Sequence, residues 1–183
     1  MLKINVKETE YYDQNTNSFY NVPAYEFQLE HSLSSVSDWE GITKKSFLET
    51  TENGGLTPEE TFIYVKCMTL NKPDDERVYY SINKDDIKKI QDYIDDPHTA
   101  TTFNVLQKDE KRGKHQIITA EIVYYWMVEG GIPFECEKWN FNKLLTLIRV
   151  LSIKRDTSKM SKKDLRQYNK AEMARRRAKC GHK

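Results

Sequence analysis

The three cysteines are the first residues to consider for metal binding or nucleophilic catalysis. Cys67, Cys136 and Cys180 are widely separated and form no C-x-x-C pair. Zinc sites usually draw their ligands from closely spaced cysteine and histidine pairs, so this spacing does not indicate a zinc site. We therefore expect Cys67 and Cys136 to be ordinary packing residues. Cysteines without an evident pairing also predict a reduced, intracellular protein.

The histidines and the paired carboxylates do not form a recognisable catalytic pattern either. The pairs Glu59/Glu60 and Asp85/Asp86 lie at predicted helix starts, where the helix dipole favours negative charge. No glycine-rich phosphate-binding motif is present. No known signature with a serine or cysteine nucleophile contains any of the four histidines, which are His31, His98, His115 and His182. We expect a protein that is not an enzyme, with no catalytic residues, no cofactor and no metal.

The C-terminal segment is strongly basic, whereas the rest of the chain is acidic. Residues 154–183 contain twelve Lys/Arg and three Asp/Glu, a net charge of +9. Residues 1–153 contain seventeen Lys/Arg and twenty-five Asp/Glu, a net charge of −8. Such a basic arm could bind nucleic-acid phosphates, could bind an acidic surface on a partner or on this protein's own body, or could simply be a solvated tail. The candidate binding cations are Lys162, Lys163, Arg166, Arg175, Arg176 and Arg177.

A cluster of aromatic residues is the second candidate binding feature. It comprises Tyr124, Tyr125, Trp126, Trp139 and Phe141. Aromatic side chains are major core material, so one interpretation is that the cluster is part of the core. The other is that these residues line a groove for an amphipathic partner helix.

The elements that would position these residues begin with strands. Leu2, Ile4 and Val6 alternate with polar residues, and residues 25–30 show the same alternation. Period-two alternation is typical of a strand with one buried face. We expect residues 1–30 to form a small antiparallel sheet or a pair of hairpins.

The sequence from residue 31 onward predicts helices. Ser35 with Asp38 fits a helix start, and Thr57-Pro58 followed by two glutamates is the clearest start in the chain. Further starts are expected at residues 83, 119 and 140. The helix over 119–129 is apolar on most sides, which predicts a central position. We expect it to pack as an antiparallel pair with the helix over 140–153.

Together these patterns predict an α+β protein that is mainly α. A small N-terminal antiparallel hairpin or sheet (1–30) would precede a bundle of about five helices (31–153). These parts form a body of residues 1–153, and residues 154–183 form a basic C-terminal helix or arm. No run of 18 apolar residues is present, so no membrane span is expected.

Several stretches of the sequence resemble a known family. They are HSLSSVSDWE (31–40), YVKCMTL (64–70), ATTF (100–103), ITAEIVYYWM (118–127), IPFECEKW (132–139), LLTLIRV (144–150) and MSKK (160–163). Together they resemble the tail assembly chaperones of siphovirus-like tailed phages of Gram-positive hosts. The resemblance covers about residues 25–180, is most specific over 118–150, and does not extend to the N-terminal strands.

The resemblance implies a non-enzymatic assembly factor in the host cell cytoplasm. Such chaperones coat the long tape measure protein and help to recruit tail tube protein subunits. Grooves between the helices over 119–129 and 140–153 would cover apolar side chains of the tape measure protein, and the basic arm would add electrostatic attraction.

Two other functions stay open at this point. One is a structural virion protein, such as a head–tail or internal core component. The other is a nucleic-acid-binding protein that acts through the basic arm. Homo-oligomer formation is also left open by the sequence.

Overall fold

A computed structural model describes residues 1–14, 17–101 and 117–159, together with Lys170 and Met173. The strands are β1 (Leu2–Val6), β2 (Thr9–Asp13), β3 (Ser18–Val22) and β4 (Tyr25–Leu29). The helices are α1 (Leu33–Thr43), α2 (Phe47–Glu52), α3 (Pro58–Met68), α4 (Lys84–Asp95), α5 (Ala120–Gly130) and α6 (Phe141–Lys159), with 3₁₀ segments at Glu76–Ser81 and Phe134–Lys138. The predicted class, α+β and mainly α with antiparallel strands at the N-terminus, is confirmed.

The four strands form two separate two-stranded antiparallel sheets, and the strands of one lie between the strands of the other in sequence. β1 pairs with β4, so that Ile4 lies opposite Phe27. The β2–β3 hairpin is inserted between them and places Tyr12 opposite Phe19. Alternate residues of β1 and β4 are buried, as the period-two pattern predicts.

α1 begins three residues earlier than the sequence indicated. The Ser32 hydroxyl accepts a hydrogen bond from Ser35 N at 3.2 Å, and the Ser35 hydroxyl accepts one from Ser32 N at 2.9 Å. This reciprocal pair is a capping box, and it makes Ser32 the N-cap in place of the predicted Ser35. The helix continues through Gly41 and ends at Thr43, and its C-cap residue Lys44 has a left-handed φ of 59°.

The other helix starts lie where they were predicted, and one helix was missed. Thr57 and Glu60 form the capping box of α3, with Pro58 in the first turn. Asn83 caps α4, and Thr119 is the N-cap of α5. The helix without a sequence prediction is α2, which has only six residues and therefore too few turns to show a helical period.

The core is centred on a cluster of aromatic rings between β4, α1, α2, α3 and the start of α6. Phe47 lies with its ring centroid 4.4 Å from that of Tyr64 and 5.3 Å from that of Trp39. His31 stacks edge-on against Phe141 at 5.4 Å and hydrogen-bonds through Nδ1 to the Tyr64 hydroxyl. All five side chains are buried, and we call them the aromatic core.

The chain divides into two compact units, residues 1–146 and 147–183. The boundary predicted between residues 153 and 154 lies inside α6, because this helix continues to Lys159. The first unit contains the strands, α1 to α5 and the first turns of α6.

Candidate partner-binding surface

The position of α5 differs from the sequence prediction. Its buried residues are Ala120, Val123 and Met127, which share one side of the helix. Tyr125 and Val128 lie on another side, and each is 62% exposed. The predicted central position is therefore wrong. Among the described residues, α5 packs against α1, and Tyr125 and Val128 on its other side are exposed to solvent.

The predicted antiparallel pairing of α5 with the helix over 140–153 stays a prediction. Gly131 ends α5 with a left-handed φ of 66°, as expected for a glycine after a helix. The chain then forms the 3₁₀ segment Phe134–Lys138, which contacts α1. The candidate surface is therefore described from one side of α5 and from the 3₁₀ segment that Tyr124 contacts.

Tyr124 connects α5 to the 3₁₀ segment. Its hydroxyl donates a hydrogen bond to the Glu137 carboxylate at 2.8 Å. Burial, together with this carboxylate, raises the pKa of Tyr124, so the phenol stays protonated and continues to donate. The Tyr124 ring centroid lies 6.3 Å from that of Phe134, which is 57% exposed.

We define the α5 face as Tyr124, Tyr125, Val128 and Phe134. Val128 follows Tyr124 by one helical turn, so the two side chains are neighbours on the helix surface. The Phe134 ring lies beside that of Tyr124 and extends this surface. The α5 face is thus an apolar surface made from adjacent residues, three of which are exposed.

The residues around the α5 face are acidic. Residues 117–138, which end with the 3₁₀ segment, contain four glutamates and one lysine, Lys138. Glu121 and Glu129 lie one turn before and one turn after Tyr125. The Thr119 side chain hydrogen-bonds to Glu121 and holds the pKa of this carboxyl below its ordinary value, which keeps it ionised. A partner of the α5 face therefore meets apolar side chains with negative charge around them.

A buried carboxylate fixes the start of α5. One oxygen of Glu40 accepts a hydrogen bond from Ala120 N at 2.7 Å, and the other accepts one from Phe47 N at 2.8 Å. These are the first residues of α5 and α2, whose N–H groups have no partner within their own helices. Burial raises the pKa of Glu40, and the two backbone donors oppose that effect. The Ser46 hydroxyl adds a bond to the Ile118 carbonyl at 2.7 Å.

The predicted aromatic residues have different environments. Trp126 is half-buried, and Trp139 is 43% exposed with the Lys143 ammonium 5.2 Å from its ring. Phe141 belongs to the aromatic core, and its backbone N–H donates to the His31 carbonyl at 2.7 Å. Its prediction as a partner-binding residue is therefore wrong, because no partner could reach it.

Two residues of the α5 face were missed by the sequence analysis. Val128 follows Tyr125 by three residues, which is a helical spacing, but neighbouring apolar residues obscured that signal. Phe134 follows Pro133 outside any predicted helix, so the periodicity gave no indication of it. The predicted arm residues Lys162, Lys163, Arg166, Arg175, Arg176 and Arg177 lie outside the described residues. Within that segment, Lys170 and Met173 are helical and exposed.

A cavity of about 800 Å³ opens beside the start of α5. Its lining includes both cations and carboxylates, and Lys45 already pairs with Glu60 at 2.7 Å. Among residues 1–14, 17–101 and 117–159, no three His, Cys, Asp or Glu side chains are grouped as metal ligands.

In the part of the chain that the structure describes, every helix is too short or too polar to cross a membrane. Comparisons with protein-family models, with curated protein sequences and with solved structures found no match to this chain.

Proposed function

We propose that this protein is a phage tail assembly chaperone. It binds the tape measure protein in the host cell cytoplasm, assists assembly of the tail tube and catalyses no reaction. The observation that carries the proposal is the α5 face, which exposes large apolar side chains on a fixed helix. The sequence resemblance to these chaperones is most specific over the same region, residues 118–150.

The α5 face would act by covering apolar side chains on a helical partner. Tape measure proteins are long helical chains, and such helices expose leucine, isoleucine and valine until their own partners arrive. Burying these side chains against the α5 face removes apolar surface from water, which is the main driving force for such an interaction. Tail tube subunits would later take over the same apolar surface and release the chaperone.

The function is tested by producing the protein together with the tape measure protein of its phage. We expect the wild-type protein to keep the tape measure protein in solution and to copurify with it. The double variant Tyr125→Ser/Val128→Ser should lose both effects, because two exposed apolar side chains of the α5 face are removed.

The chain offers a matched control on another surface. Tyr12 and Phe19 are exposed aromatic residues on the β2–β3 hairpin, with ring centroids 5.0 Å apart. The variant Tyr12→Ser/Phe19→Ser should keep the tape measure protein soluble. An insoluble tape measure protein with no complex in the presence of the wild-type chain would refute the proposal.

The two alternative functions predict other results. A structural virion protein would occur at stoichiometric copy number in purified particles when they are analysed by mass spectrometry, whereas a chaperone should be scarce or missing there. A nucleic-acid-binding arm would give a DNA affinity that falls steeply with salt and disappears when residues 154–183 are removed.

A further inference from the structure

We propose that the α5 face of one copy of the protein binds the basic C-terminal segment, residues 160–183, of a second copy. This is a self-association through the surface that the proposed function assigns to the tape measure protein. It rests on the α5 face being a binding surface, but not on the identity of the protein that the face binds during assembly.

The charges around the α5 face argue against pairing with an identical face. A symmetric dimer would place the four glutamates of residues 117–137 opposite the same four glutamates of the second copy. Like charges brought together at an interface cost free energy and select against that partner. The occupant of the α5 face should therefore carry cations next to its apolar side chains.

Residues 160–183 have this composition. They contain nine Lys/Arg and only two Asp/Glu. Their large apolar side chains include Leu165, Tyr168 and Met173, and Met173 is helical and 53% exposed. A basic segment with interspersed apolar residues can bury those residues on an apolar face while its cations meet surrounding carboxylates.

The arrangement is heterologous, because two different surfaces of the chain meet. Each copy that uses its C-terminal segment on a neighbour still has its own α5 face available for a third copy. Such contacts form rings when the rotation closes and open chains when it does not. Self-association would also cover the α5 face and protect it from nonspecific contacts before its assembly partner is made. The assembly partner would then compete with the C-terminal segment for this surface.

The test measures the mass of the full-length protein by sedimentation over a range of concentrations and salt. We expect the mass to rise with concentration and to fall as salt screens the charges. The variant Glu121→Lys/Glu129→Lys should weaken association about tenfold or more. The variant Arg175→Glu/Arg176→Glu should do the same from the other side of the contact.

The decisive variant combines both changes in one chain. Association should return, because the swapped charges are again complementary. If the reversed charges on α5 prevent folding, Glu121→Gln/Glu129→Gln removes the charges without reversing them and should still weaken association. The control Glu10→Lys/Asp92→Lys makes an equal charge change at two exposed residues outside α5 and should associate as the wild type does.

A protein that stays monomeric at every concentration would overturn the proposal, and this includes a monomer whose C-terminal segment binds its own body. Association that neither pair of charge reversals affects would also overturn it. The tape measure protein is absent from these measurements. Failure here therefore leaves the proposed function intact, and failure to bind the tape measure protein leaves this result intact.

Discussion

The aromatic core and the α5 face are both built from closely grouped aromatic residues, yet one is buried and the other faces solvent. Phe47 is 2% exposed, whereas Phe134 is 57% exposed. The difference does not come from residue type, because both are phenylalanines in or near short helical segments. It comes from the number of elements around each side chain.

Several elements surround the aromatic core, whereas α5 is covered mainly from one side. The rings of His31, Trp39 and Tyr64 all lie within 5.9 Å of the Phe47 ring, and they come from the β4–α1 connection, α1 and α3. The Phe134 ring has a single aromatic neighbour among the described residues, Tyr124. Apolar side chains that the fold leaves uncovered are available to a partner, which is why we expect the first region to contribute stability and propose binding for the second.

The same substitution in the two regions should give the largest contrast. Phe47→Ala should lower the free energy of unfolding by about 3–5 kcal/mol, because it leaves a cavity among packed rings. Phe134→Ala should change it by less than about 0.5 kcal/mol, as is usual for an exposed side chain. Denaturant unfolding of both variants measures the difference. Equal losses would show that Phe134 is part of the core and would remove it from the α5 face.

Acid should destabilise the aromatic core through His31. Burial among aromatic rings, aided by the nearby His98, lowers the pKa of His31 to about 4. An unfolded histidine titrates near 6.5, so the folded state excludes a proton that the unfolded state binds. The stability that depends on neutral His31 is therefore fully present above pH ~6.5 and is lost as the pH falls towards 4.

The size of the His31 effect follows from the two pKa values. Linkage gives a loss of about 3 kcal/mol over that range. The free energy of unfolding, measured as a function of pH, should fall by this amount in the wild type and by less in His31→Gln. The fold also loses stability in acid when carboxylates with a lowered pKa, such as those of Glu60 and Asp75, become protonated. These groups remain in His31→Gln, so some pH dependence should remain there. Identical slopes in the two proteins would contradict the assignment to His31.

Glu40 links the two regions, and its removal should have an intermediate effect. Gln in its place keeps the shape but has only one oxygen for the N–H groups of Phe47 and Ala120. One buried donor then lacks its partner, which costs about 1–3 kcal/mol. Hydrogen exchange of Ala120 N–H should accelerate in Glu40→Gln and stay unchanged in Glu52→Gln, a matched change at an exposed residue of α2. Unchanged exchange in both would show that other contacts hold the start of α5.

Local signals in the sequence were enough to place most helices but not to orient them. The Thr57 capping box and the glycine after α5 act through hydrogen bonds to backbone groups within a few residues, so their effects could be predicted. The side of α5 that would be buried depends on α1, which is distant in sequence. Because α5 is apolar on most sides, its own periodicity carried no information about that choice.

The candidate site shows the same limit. Tyr125 was recognised because it is a large aromatic residue in an apolar helix, but Phe141 was included for the same reason and is buried. Phe141 is buried because it contacts His31, which follows β4 and is more than a hundred residues away in the sequence. The sequence pattern does not indicate that contact, so the pattern could not distinguish the two residues. Ser35 was chosen as a helix cap over Ser32 because several serines in a row offer equivalent local patterns.

The smallest expected effect on stability is at Tyr125, and it is the sharpest test of the comparison between the two regions. Tyr125→Ala removes a large side chain that has little cover from the fold, so the free energy of unfolding should change by less than about 0.5 kcal/mol. Yet aromatic residues at the centre of an interface commonly account for about 2 kcal/mol or more of binding when truncated. The affinity for the tape measure protein should therefore fall about thirtyfold or more.

The two readouts must be taken on the same variant, since either alone is ambiguous. Calorimetric titration with a soluble segment of the tape measure protein measures affinity, and denaturant unfolding measures stability. Tyr12→Ala on the β2–β3 hairpin is the matched control and should leave affinity unchanged. A loss of stability at Tyr125 as large as at Phe47 would show that α5 is covered in solution. If Tyr125→Ala changed neither the affinity nor the free energy of unfolding, the Tyr125 side chain would contribute neither to binding nor to packing. That result would show that partners bind elsewhere.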